Sequence, residues 1–457
     1  MFKINHSVLM TSAVLAVMAA TPVISSVSPD EVARLKTTLT PLGAEREGNA
    51  DGSIPRWNGG FTTVPPGYKS GDPRPDFFAG EKPVVQITKA NMAKYADKLT
   101  EGDQILLNKY ASYRIDVYPT HRTASAPQWV YDDTLENAQH ATITNDGLTL
   151  KGAYGGIPFP IPKTGNELIW NHELAWAGGA ITFSFSTYIV TDAGDSVLSS
   201  KATNIQQYPY YLKNGSSKSF NGTAFEVDNV TTAPPFKAGE VIMYRDPTDY
   251  ASGQRQAWQY LTGQRRVRRA PTIGFDTPNQ EASGVSNFDE IFVFNGSPER
   301  YDWKIVGKRE MYVPYNCNRL LGSSHEAIFK NGPAHVNPDL LRWELHRVWV
   351  VDGTLKPGKR HVIPHRRFYI DEDTWSILLA DGWDANGKLW KHYYGLPLLA
   401  PDIPGLITMA HVYNNVQTGA WGIAALFEAT PGAQVRPIDP KDDNYFTPDA
   451  LSSRGVR

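Results

Sequence analysis

Apolar and polar residues alternate through much of the chain after its first quarter. "AITFSFSTYIV" (180–190) has the period of two that puts one side of a strand inside and the other outside. "GEVIMYRD", "QAWQYLT", "DEIFVFNG", "DWKIVGKREMYVPY", "LHRVWVVDGTL" and "GAWGIAALF" have the same character, with turn residues between them. From about Val117 onward the chain reads as strands and turns. No long amphipathic helices separate the strands, as parallel βαβ units would require. The segment from Phe368 to Tyr394 is a β-meander: a strand, the acidic turn Asp371-Glu372-Asp373, a strand, the turn Asp384 to Gly387, and a third strand. A calcium loop with Gly387 at its sixth position would need an acid at position 382, which is Gly382. The expected fold is mainly β (α+β), a large curved antiparallel sheet or incomplete β-barrel with a few helices.

The first 116 residues have a different texture. Ser28, Pro29 and Glu31 form a capping box, and Val32, Leu35 and Leu39 follow at helical spacing. Turn residues then dominate to residue 83, with Trp57, Phe61, Phe77 and Phe78 to pin the stretch down. A helical pair follows, one member capped at Thr88 and one at Asp103. This composition predicts an N-terminal helical and extended arm over 26–116 and a β half-barrel domain over 117–457.

Residues 1–25 carry an early lysine and the uncharged apolar run "SVLMTSAVLAVMAATPV", ending in small residues. That is the pattern of a cleaved signal peptide, too short and too weakly flanked to span a bilayer. No cysteine follows to carry a lipid, and the one cysteine, Cys317, rules out an internal disulfide. The expected compartment is the periplasm, with the mature protein soluble there. Charge is nearly balanced, 45 Lys+Arg against 47 Asp+Glu. "AWQYLTGQRRVRRAP" holds Arg265, Arg266, Arg268 and Arg269, but a nucleic-acid site needs a net basic domain and access to nucleic acid. The arginines are expected to be solvated on a hairpin and paired to local carboxylates. With 12 Trp and 22 Tyr, aromatic side chains are abundant enough to line a binding surface.

Catalytic motifs are lacking. There is no nucleophile elbow, Walker loop, zinc helix or cysteine pair. Pro364 breaks any helix that would align His361 with His365, and His172-Glu173 lacks a second histidine. No cofactor and no metal is expected.

"W-x-Y-L…RRVRR", followed by "SNFDEIFVF", resembles a pattern of the periplasmic lipoprotein-carrier (LolA/LolB-like) superfamily. "LTPLGAEREGNADGSIPRWNGG", "VYPTHRTASAP", "GGIPFPIPKTGNELIWNH", "VPYNCNRL" and "ELHRVWVVDGTLKPGKRHVIPHRRFYIDEDTW" resemble the bacterial family called domain of unknown function 1329, from about residue 35 to the C-terminus. The resemblance implies an incomplete barrel around an apolar cavity. It also implies a hydrophobic molecule or lipid as ligand, with an outer-membrane channel protein and an inner-membrane exporter as partners. It carries over no catalytic residue.

The function expected is non-covalent binding of a lipid or other hydrophobic molecule during transport across the envelope. Trp258, Tyr260, Phe292, Phe294, Trp349 and Val351 are the candidates for the inner wall, on the strand period alone, which gives the pair but not the side. The rivals are a docking protein with a filled interior and an exposed patch at 155–163, and a hydrolase or glycan-active protein. The hydrolase would need two carboxylates, or a His–Ser/Asp pair, converging in a cleft.

Overall fold

The computed structural model describes residues 27–454 except 192, 331–333 and 443; the leader expected over 1–25 lies outside the described residues. In chain order, β1 (Val85–Ile87) and β2 (Ile115–Val117) precede a separate hairpin of β3 (Thr142–Thr144) and β4 (Thr149–Lys151). A first meander follows: β5 (Ala180–Val190), β6 (Ser196–Gln207), β7 (Thr223–Ala233), β8 (Val241–Pro247), β9 (Gln256–Leu261) and β10 (Arg266–Arg269). A second begins with β11 (Tyr301–Pro314), β12 (Trp343–Leu355), β13 (His365–Asp371), β14 (Ile377–Trp383) and β15 (Leu389–Gly395). A hairpin of β16 (Leu398–Ala400) and β17 (Gly405–Ile407) interrupts it, then β18 (His411–Asn415), β19 (Trp421–Phe427) and β20 (Arg436–Pro437) complete the set.

Sixteen of these strands form one open sheet, β1-β2-β12-β13-β14-β15-β18-β19-β5-β6-β7-β8-β9-β10, with β11 beside β12 and β20 beside β5. The β19–β5 pairing joins the two meanders, and the sheet is antiparallel except for one contact, Trp343 with Val117. The fold is mainly β, a large open sheet with few helices. The expected strand 180–190 is β5 to the residue, and the expected meander is β13–β14–β15.

Register separates the two faces. Val348, Tyr369, Leu379, Tyr394, Val412 and Ile423 alternate onto one face and pack with Leu106, Leu107 and Ile115 of the N-terminal stretch. Val351, Phe368, Ala380, Tyr393 and Tyr413 alternate onto the other, and pack with Leu168, Ile169 and Trp170 of helix α4.

Helices α1 (Pro29–Ala33), α2 (Glu101–Lys109), α3 (Gln128–His140) and α4 (Gly165–Glu173) precede the meanders; α5 (Asn318–Leu321), α6 (His325–Ile328) and α7 (Pro448–Arg454) follow. The Ser28 capping box of α1 forms as expected. Several expectations are corrected. The cap of α2 is Thr100, and Asp103 is its third residue, closing a reciprocal capping box. The stretch expected to start at Thr88 is a 3-10 helix, Met92–Lys98. Helices α3 and α4 lie where only strands and turns were expected. The buried side of α3 presents Thr134 and Asn137, which bond the backbone of Ile157 and Tyr154, so its apolar stripe is broken. Gly165 opens α4 because a Cβ there would stand 2.4 Å from the Trp303 backbone of β11.

"DEIFVFNG" is not a strand. Asn287 and Glu290 form a capping box that turns the chain into a 3-10 helix, Phe288–Glu290. Phe292 and Val293 then adopt φ of 55° and 74°. The backbone bonds stay local, Val293 N–H to Glu290 and Asn295 N–H to Asp289. Of the segment 155–163, the exposed patch that the docking-protein reading would need, residues 155–160 are buried, with Ile157 at 0% exposure and Phe159 at 7%, while Lys163 is exposed.

Candidate functional site

A cavity of about 60 Å³, opening outward into a solvent-filled cleft, lies on the α4 side of the sheet between β5–β8, β18 and β19, and the segment 271–297. That segment contains no strand of the sheet. It is held at Asp289, which meets His361 and Arg366 at 2.9 Å each, and at Glu290, which accepts from the Tyr393 hydroxyl at 2.8 Å. Ser199 and Ser283, 2.6 Å apart, tie its outer part to β6.

The cavity has two kinds of wall. Phe183 and Phe185 of β5 and Phe288, Ile291 and Phe292 of the covering segment are apolar. Asn204 and Gln206 of β6, Asn229 of β7, and Glu281 are polar. Alternation explains the polar side. Asn204 pairs across the sheet with Asn229, and Asn229 with Ile242, so these residues must face the same way. Asn204 donates to Asn229 at 3.2 Å, and Asn229 donates to the Glu281 carboxylate. Burial raises the Glu281 carboxyl to about 7, with Lys237 opposing. Burial lowers His411, also on the wall, to about 4, so its ring is neutral.

The expected wall residues divide. Phe292 lines this cavity, and Phe292 and Phe294 line a second cleft beside α4. Val351 is fully buried on the same face; it pairs with Phe368, whose ring lies 5.4 Å from that of Phe294. Trp349, on that face too, has Lys308 4.8 Å from its ring centroid. Trp258 and Tyr260 lie on the opposite face. They pair with Met243 and Val241, whereas the cavity takes Ile242 and Tyr244, and Phe446 and Leu451 of the C-terminal segment cover them. Period two left the side open, and the structure sets these two away from the cavity. Sequence reasoning missed Asn204, Gln206 and Asn229 because a polar inward side erases the apolar alternation that announces a strand, and Glu281 because it lies in the irregular segment 271–297, where no period applies.

The edge strand β10 leaves Arg266, Arg268 and Arg269 exposed. Among the described residues none of the four arginines forms an ion pair, contrary to expectation; Arg268 bonds Gln259 at 2.9 Å.

Clustered ionisable groups occur elsewhere, closed on themselves. His392 lies between Asp381 at 2.8 Å and Asp103 at 3.3 Å; burial would lower its pKa, but the two carboxylates raise it to about 10. A Cβ on Gly102 would strike this ring, so only glycine lets α2 approach. His346, Asp371 and Asp373 bring one donor atom each within 4.8 Å, the one such group among the described residues. Burial and the Asp373 charge raise Asp371 to about 6, and Arg122 already grips both oxygens of Asp373 at 2.9 and 2.6 Å. That guanidinium supplies the positive charge a metal ion would bring. His172 spends both ring nitrogens on backbone, and burial raises its neighbour Glu173 to about 8. His361 binds Asp289, whereas His365 stacks on Trp383. Cys317 is fully buried, which raises its thiol far above the ordinary range. Among the described residues, no helix is long and apolar enough to cross a membrane.

The chain was compared with known proteins. Residues 86–452 match the family described as "Protein of unknown function (DUF1329)". An uncharacterized protein of Pseudomonas aeruginosa is 37% identical over 472 residues, 98% of this chain and 99% of that one. The crystal structure of a DUF1329 family protein from Desulfovibrio piger aligns at 14% identity over 62% of this chain and 96% of its own, with a TM-score of 0.38. A LolA superfamily protein from Nitrosomonas europaea aligns at 10% identity over 63% of this chain and 100% of its own, with a TM-score of 0.37. The match over most of its length and the full-length relative show that this chain belongs to the DUF1329 family of proteins of unknown function.

Proposed function

We propose that this protein is a non-enzymatic periplasmic carrier or accessory factor that holds a lipid or other hydrophobic molecule, without a covalent bond, in the cavity under segment 271–297. One observation carries the reading: aromatic side chains from a strand and from an irregular covering segment face each other across unfilled space. Protein interiors close such gaps unless something else occupies them. Affinity then comes from apolar surface removed from water, about 25 cal/mol per Å². In this reading residues 26–116 are a wrapping arm on the β domain 117–457. The ligand is handed on to an outer-membrane channel protein or taken from an inner-membrane exporter. In this reading the clustered carboxylates and histidines outside the cavity serve structure, since each is paired with an opposite charge or with backbone.

The test is native mass spectrometry of protein purified from periplasm without detergent, followed by solvent extraction. The expected result is a reproducible extra mass that extracts as a hydrophobic molecule. A clean apo mass, with no uptake from a panel of lipids, overturns the reading in favour of a docking protein.

A further inference from the structure

We propose that the cavity selects amphiphiles whose polar end is an uncharged hydrogen-bond donor, a hydroxyl group, and discriminates against carboxylates and phosphates. The inference rests on the carrier reading and specifies its ligand.

The hydrogen-bond direction along the polar wall carries the argument. Above about pH 7, where Glu281 is ionised, its carboxylate only accepts, so the amide nitrogen of Asn229 points toward it. The Asn229 oxygen then points the other way and takes the amide nitrogen of Asn204. The chain of donors runs Asn204 to Asn229 to Glu281 and ends, at its free end, on the Asn204 oxygen. That oxygen is buried without a partner, and so is the side-chain oxygen of Gln206. This network settles which way each asparagine amide is turned.

His411 adds to the pattern. Its Nδ1 lies 3.1 Å from the Met409 carbonyl oxygen, which can only accept. The proton therefore sits on Nδ1, and Nε2 offers a lone pair. Unpaired acceptors buried in a cavity cost free energy until something donates to them. No lysine or arginine lines the cavity, and its one carboxylate is Glu281. An anionic head group would meet that carboxylate and the amide oxygens with no cation in the lining itself; the nearest charge of opposite sign, Lys237, already acts on Glu281 from outside it. A hydroxyl supplies the missing donor and brings no charge, and a hydrocarbon leaves the acceptors unpaired.

Three dodecyl probes of one chain length test this on the full chain: dodecan-1-ol, dodecanoate and dodecane. Each competes with N-phenyl-1-naphthylamine fluorescence at pH 8.5, above the Glu281 value of about 7. The expected result is that dodecan-1-ol displaces the dye at concentrations at least about tenfold below either of the others, the effect of one hydrogen bond to a buried group. In Glu281→Gln the disadvantage of dodecanoate shrinks at least about threefold, since the amide removes the opposing charge. If dodecanoate or dodecane binds as tightly as dodecan-1-ol, the selectivity is overturned while the carrier reading stands. If neither the dye nor any probe binds, both fall. The comparison of probes on the unaltered chain does not depend on any variant folding.

Discussion

The two faces of the sheet meet the same problem, polar groups out of water, in opposite ways. On the face under the N-terminal stretch, buried charges are closed by opposite charge, His392 between Asp103 and Asp381 and Arg122 on Asp373, although single atoms of Asp103, His392 and Asp371 make no hydrogen bond. On the α4 face, near the cavity, polar atoms are buried but open, with Asn204, Gln206 and Tyr413 each keeping an oxygen without a partner. A closed set fixes one arrangement of the chain, and an open one waits for a partner that the chain does not supply. The first face is built to hold α2 and the segments around it in place. The second, in the function proposed above, receives a ligand.

The largest effect should come from opening a closed set. His392→Ala leaves Asp103 and Asp381 facing each other without a cation, and the expected loss is about 3–5 kcal/mol in urea unfolding. The pH dependence has a definite sign. The folded value of His392 is raised, from 6.5 to about 10. Its contribution is therefore fully present below about pH 6.5 and is lost as pH rises through 10. Stability of the unaltered chain should fall across that window, and the variant should lack that fall. Equal slopes in the two proteins would mean that His392 is not the cation holding α2.

The next effect separates the faces by binding. Phe292→Ala removes a ring from the cavity, and uptake of N-phenyl-1-naphthylamine should weaken about tenfold or more. Trp258→Ala, beneath the C-terminal helix, should leave uptake within about twofold. A loss of the same size in both variants would place ligand on the other face.

Opposite in sign is the effect of Glu281→Gln. Burial raises the folded carboxyl from 4.5 to about 7. The stability linked to its proton is complete below about pH 4.5 and lost as pH rises through 7. Glu281 is half-buried and the solvent screens part of this cost. The variant should match the unaltered chain below about pH 4.5 and exceed it by about 1–2 kcal/mol at pH 8.5. Urea midpoints at the two pH values measure the difference; no gain at pH 8.5 would mean that solvent reaches the carboxyl freely.

Where the chain obeys the simple periods, its sequence was enough. The meander β13–β15 and strand β5 have one apolar side and turn residues at their ends, and both lie where the pattern put them. β6 and β7 escaped because "SVLSSKATNIQQ" and "TAFEVDNVTTA" turn Asn204, Gln206 and Asn229 inward, which hides the period. The 3-10 turn at Phe288 escaped because the residues that follow it, Ile291 to Phe294, are as apolar as a strand, and only the Asn287–Glu290 pair marks the turn. The side on which Trp258 lies escaped because period two is symmetric. The polar wall, where the period fails, is thus the part of the molecule with the most to say about ligand.

The smallest effect on stability, and a different kind of effect, belongs to the basic edge. β10 ends the sheet, so one side of its backbone has no partner strand. An unpaired edge invites another strand, and charged side chains on it oppose that pairing. Arg266, Arg268 and Arg269 are exposed and bound to no carboxylate among the described residues, so they add little to folding. Replacing all three with serine should change the urea midpoint by less than about 0.5 kcal/mol in free energy. It should, however, raise the sedimentation coefficient with protein concentration, because the edge then pairs between copies. A variant that loses several kcal/mol without associating would show instead that the arginines hold β10 against β9. The rule that separates the two faces would then extend to the edge, with charge there serving to fix the chain.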